Sequence, residues 1–167
     1  MGNVDIERFS GIWYEMKRDL DYDLWNNMVC PVSEYTAGWF GDMTLQVSYL
    51  HPWFGYEPSY WFPRTISTQF IDFNPYDGVT YIDHGIWGKY RHFVLDTDYD
   101  NWALIYGCDF YMGLFHVNWI TLLSREKFMA YPHIKAAKDV IDNLPNTVYD
   151  YNTHWFNPGE RCGFETA

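Results

Sequence analysis

The sequence predicts an all-β fold: eight antiparallel strands in an up-and-down barrel, followed by one C-terminal α-helix packed outside it. Turn residues recur at short intervals, at Gly41-Asp42, Asn74-Pro75-Tyr76-Asp77-Gly78, Gly85, Gly88, Asp100-Asn101 and Gly113. The segments between them are rich in β-branched and aromatic residues, which suit a pleated, half-buried surface. Helical spacing of apolar residues occurs in one stretch alone, near the end.

In chain order the predicted strands are Gly11 to Arg18, Cys30 to Phe40, Met43 to Leu50 and Arg64 to Phe73. They continue with Val79 to His84, Tyr90 to Thr97, Trp102 to Phe110 and Leu114 to Ser124. Tight turns between neighbours favour a closed barrel whose interior holds one small ligand, although period-2 patterning fits a two-sheet sandwich equally. Two connections are longer. Asp19 to Val29 is acidic, and His51 to Pro63 is crowded with rings, both typical of loops that carry binding residues. After Pro132, Ile134, Ala137, Ile141 and Leu144 form one helical stripe, a packing face for the outside of the sheet, and Pro145 ends it. No linker, repeat or low-complexity run divides residues 1–167, which read as one domain.

Lys and Arg number 11 against 22 Asp and Glu, a net charge of -11. Such a surface repels phosphate backbones and anionic headgroups, which argues against nucleic acid and against electrostatic membrane docking. No stretch approaches the roughly 20 apolar residues of a membrane span. The start, Met1 to Phe9, has no apolar signal core, so the chain reads as soluble, or as a mature secreted protein whose leader is replaced by a start Met. Nine Trp, 15 Tyr and 12 Phe make up 22% of the residues, bulky amphipathic surface suited to lining a cavity.

The candidate ligand site draws on three places. Tyr35 and Trp39 share one face of the second strand. Phe115, Trp119 and Thr121 fall on the inward face of the last strand by period 2, with His116 outward. Trp53, Tyr56, Tyr60 and Trp61 form the mouth, and His84 is a further inward candidate. The same rings would also serve simply to fill a small barrel.

Three motifs resemble the lipocalin family. Phe9-Ser10-Gly11-Ile12-Trp13-Tyr14-Glu15 is similar to its Gly-x-Trp first strand, and Thr97-Asp98-Tyr99 to its turn between the sixth and seventh strands. Leu114 to Trp119, leading to Leu123-Ser124-Arg125, resembles its eighth strand and closing Arg. Ile105-Tyr106-Gly107-Cys108 is most similar to the branch that holds apolipoprotein D, insect bilin-binding proteins and crustacyanins. The resemblance implies an eight-stranded calyx around a small apolar molecule. It implies that Trp13 and Arg125 plug the closed end by a cation–π contact and touch no ligand. It also implies a disulfide between Cys30 and Cys162, hence a secreted, extracellular protein. The branch's other disulfide would use Cys108. No cysteine precedes Cys30, so either its partner lay upstream or the thiol is available to pair between chains.

The residues give no enzyme signature: no Gly-x-Ser-x-Gly, no phosphate-cradling loop, no His-Glu-x-x-His and no Cys-x-x-Cys, hence no catalytic residues and no metal site. A haem carrier would need an inward axial His, for which His84 and His92 are candidates. The expected function is therefore non-enzymatic binding and transport of a small hydrophobic ligand, a bilin or carotenoid pigment ahead of haem. The alternatives are a carrier of a colourless fatty acid or steroid, and an isomerase working through Cys30. The aromatic loop is also compatible with homo-oligomer contacts.

Overall fold

The computed structural model describes residues 4–19, 29–39, 43–50, 65–74, 79–83, 89–111, 115–144, 155–156 and 160–166. Of these, 19, 65–74, 79–83, 89–90, 109–111, 115–117, 155–156 and 161 are described by backbone alone. A one-turn helix α1 (Ile6–Phe9) leads into β1 (Gly11–Asp19), β2 (Val29–Ala37), β3 (Met43–Leu50) and β4 (Thr65–Asn74). Then come β5 (Val79–Asp83), β6 (Lys89–Thr97), β7 (Trp102–Tyr111) and β8 (Phe115–Ser124). The short β9 (Phe128–Met129), α2 (Tyr131–Asp142), β10 (Trp155–Phe156), a 3-10 turn (Glu160–Cys162) and β11 (Glu165–Thr166) complete the chain.

Strands β1 to β8 pair antiparallel in sequence order, and β1 also pairs with β8, through Tyr14 with Ser124 and Arg18 with Thr121. That last ladder closes the sheet into a barrel. Because every neighbour in the ring is antiparallel, Asp19, Leu50, Asp83 and Tyr111 leave at one rim, and Ala37, Asn74, Thr97 and Ser124 at the other.

Alternation along β7 and β8 divides the buried side chains into two sets. Ala103, Ile105 and Leu123 face inward, where they meet Phe9, Trp13, Tyr35, Met43 and Leu45. Trp102, Leu104, Ile120 and Leu122 face outward into a second cluster with Met16, Met129 and Phe164. Helix α2 covers that outer cluster with Ala137 and Ile141, flanked by Ile134 and Leu144. Pro132 stands in its first turn, where a missing N–H costs no helical bond. Its opposite face carries Lys135–Asp139 and Lys138–Asp142 pairs one turn apart.

Two expectations are corrected. The second strand stops at Ala37, which pairs with Met43, the first residue of β3. Trp39 therefore stands in the closed-rim turn, 100% exposed, and lines no wall. Helix α1 is an addition to the single helix expected. Asp5 caps it by accepting a hydrogen bond from the Arg8 N–H, a local signal too short to show periodicity.

Candidate functional site

The rim that holds Gly11 and Ser124 is sealed. Trp13 is fully buried and its indole N–H donates to the Phe9 carbonyl at 2.8 Å. The Arg125 guanidinium lies over the Trp13 ring, 3.7 Å from its centroid. Its N–H groups donate to the carbonyls of Tyr99, Ile12, Arg8 and Phe9, so the cation is spent on backbone from three segments. Gly11 explains its own place in the motif. Its φ is +105°, and a Cβ there would stand 3.0 Å from Arg125 Nη1. In the adjoining turn, Asp98 accepts from the N–H groups of Asn101 and Trp102. Burial pushes its carboxyl pKa up, but these hydrogen bonds outweigh it and hold the group below the usual range.

Beyond the plug, the inward face turns polar. A bulge between Glu15 and Lys17 shifts the register of β1 against β8, so that Arg18 stands opposite inward-facing Thr121 rather than outside with Met16. Glu15 and Arg18 are both buried and form an ion pair, with Arg18 Nη2 donating to Glu15 Oε2 at 2.7 Å. Tyr35 on β2 and His92 on β6 meet across the interior, Oη to Nε2 at 3.3 Å. Burial lowers the His92 pKa to about 4. Burial, with the Glu15 carboxylate nearby, pushes the Tyr35 phenol well above its ordinary value. Both rings are thus neutral at physiological pH and can exchange a single hydrogen bond. Across β6, β7 and β8, His92, Gly107 and Trp119 stand in one inward row. Among the described residues, no group of three His, Cys, Asp or Glu side chains converges as a metal site, and no helix is long and apolar enough to cross a membrane.

No protein-family model matches the chain. Apolipoprotein D of Cavia porcellus is 40% identical over 50 residues, which are 30% of this chain and 26% of that protein. The matched segment thus spans well under two-thirds of that relative. Apolipoprotein D of Mus musculus is 23% identical over 148 residues, 83% of this chain and 70% of that protein. Insecticyanin of the tobacco hornworm Manduca sexta superposes with a TM-score of 0.71 at 18% identity, covering 100% of this chain and 88% of that one. Lobster apocrustacyanin A1 gives 0.63 at 18% identity, covering 92% and 78%. The barrel, its sealed rim and these relatives agree. The chain has the lipocalin fold.

Within this barrel the expected site residues are distributed unevenly. Tyr35, Trp119 and Thr121 are buried and face the interior. Trp39 is outside, as above. Phe115 lies on β8 with only its backbone described, and His84, Trp53, Tyr56, Tyr60 and Trp61 lie outside the described residues. Cys30 is bonded to Cys162 across 132 residues, with Cα atoms 5.9 Å apart. Its φ of +54°, beside Pro31 at a second bulge, turns the sulfur into the outer cluster rather than the barrel. An isomerase built on a Cys30 thiol is not compatible with that placement. Sequence reasoning gave His92 only a haem role, although it shares parity with inward-facing Val94. The Glu15–Arg18 pair was invisible, because period 2 sends Arg18 outward unless the bulge is known.

Proposed function

We infer that this chain is a non-enzymatic carrier that encloses a small hydrophobic ligand in its barrel. The observation that carries the reading is the interior itself: sealed at one rim by Trp13 and Arg125, and walled farther in by Trp119, Thr121 and the neutral Tyr35–His92 pair. Apolar burial supplies the affinity of such a site, while a few polar tips fix orientation. Neutral hydroxyl and imidazole groups suit a ligand with a carbonyl, hydroxyl or pyrrole N–H. Resemblance to the bilin- and carotenoid-binding branch, and a fold shared with insecticyanin and apocrustacyanin, favour a conjugated pigment over a fatty acid or steroid. The disulfide supports a secreted setting.

The test is an absorption spectrum across the near ultraviolet and visible after separate incubation with biliverdin, haem and a carotenoid, and gel filtration to remove unbound pigment. A shifted band co-eluting at near-equal stoichiometry is expected with biliverdin or the carotenoid. A colourless protein that instead retains a fatty acid would replace the pigment reading with a lipid carrier.

A further inference from the structure

We propose that Gly107 is a positioning residue that sets the width of the barrel interior, and that the interior is built for a broad, planar ligand rather than a single alkyl chain. The proposal rests on the carrier reading above and adds the ligand's shape to it.

Gly107 lies in the middle of β7, where glycine weakens a strand and usually marks the close approach of another group. Its inward neighbours are His92 on β6 and Trp119 on β8. A Cβ on Gly107 would fall 2.0 Å from both Cε2 and Cζ2 of Trp119 and 2.6 Å from Nε1. The indole therefore occupies the volume in which any side chain at 107 would stand. It leans from β8 across the backbone of β7, recessed into the wall. Rings are rigid, so a methyl group at 107 cannot be absorbed by a small shift. The indole must swing away from the wall, toward the barrel axis. The largest inward side chain described on β8 is thus kept out of the interior by the absence of one on β7. Recessing a ring widens the interior along that wall, which matters to a flat multi-ring ligand and little to a narrow chain. The Tyr35–His92 pair borders the same row and offers a polar contact at its edge.

The experiment compares biliverdin with palmitate on the wild type, Gly107→Ala, Trp119→Ala and the double variant. Gly107→Ala is expected to weaken biliverdin about tenfold or more, as overpacking does, while palmitate affinity stays within about threefold. In the Trp119→Ala background the glycine substitution is expected to change neither affinity, because the ring it seats is gone. Equal losses for both ligands, no loss of biliverdin, or the same loss in the Trp119→Ala background would overturn the proposal. If Gly107→Ala does not fold, adding Trp119→Ala must restore folding by removing the clash, and a double variant that stays unfolded would also overturn it. Wild-type protein that binds palmitate alone overturns the broad-ligand inference but leaves the carrier reading standing. Binding of neither ligand fails the carrier reading itself, before any variant is made.

Discussion

The two faces of β7 and β8 are buried for different purposes. Outward, Trp102, Leu104, Ile120 and Leu122 meet helix α2 and the C-terminal segment in a hydrophobic cluster. Inward, the same strands contribute Ala103, Ile105 and Leu123 to the plug, then Gly107, Trp119 and Thr121 beside an ion pair and a Tyr–His hydrogen bond. Burying charge inside a barrel gains little stability over an apolar filling of the same volume. The polar interior is tolerable because the outer cluster and the sealed rim already hold the sheet closed. On the proposed carrier reading, stability and ligand recognition are assigned to opposite sides of one sheet.

That division can be broken or sharpened in four ways. The largest effect should come from the disulfide that ties β2 to the tail on the outer side. Cys30→Ser should cost about 4–5 kcal/mol for a loop of this length in the chain-entropy model. Urea midpoints with and without reductant measure it, and a wild-type midpoint indifferent to reductant would contradict it. Leu104→Ala, which opens a cavity in the outer cluster, should cost about 3 kcal/mol with ligand affinity unchanged. Reduced affinity in a folded Leu104→Ala protein would blur the division.

His92 tests the inner face. Its folded pKa of about 4 lies below the value of 6.5 expected in the unfolded chain, so between these values the unfolded state binds more protons. The stability linked to this group is fully present above pH 6.5 and is lost as pH falls toward 4. The loss amounts to roughly 3 kcal/mol. His92→Gln should remove that part of the pH dependence, and superimposable unfolding profiles for the two proteins would refute it. The smallest effect belongs to the closed-rim turn. Asp98→Ala loses the hydrogen bonds to Asn101 and Trp102 and should cost about 1 kcal/mol, measured as a shift in Tm without a change in binding.

Strand existence and order were legible because alternation and turn chemistry are local: every predicted strand end that flanks a tight turn, Phe40 excepted, falls within one residue of the structure, as at Met43, Val79 and Trp102. The α2 stripe was legible for the same reason. Less was readable of the site. Trp39 was misplaced because a strand's end depends on where its partner's ladder closes, here at Met43. Glu15–Arg18 and Cys30 depend on bulges, and one inserted residue reverses the facing of everything beyond it.

By itself the sequence determined an all-β chain with a terminal helix, the Gly11–Trp13 and Arg125 pieces of the plug, and the inward parity of Trp119 and Thr121. The strands, the helix and the parity follow from residue spacing, which is written in one dimension, and the plug follows from the motifs' resemblance to a known family. Only the tertiary structure decided that Gly107 and Trp119 share one volume, that Tyr35 reaches His92, and that Arg18 turns inward. Each of those depends on the register between strands distant in sequence. That register is fixed by closure of the whole barrel, to which no single segment holds the key.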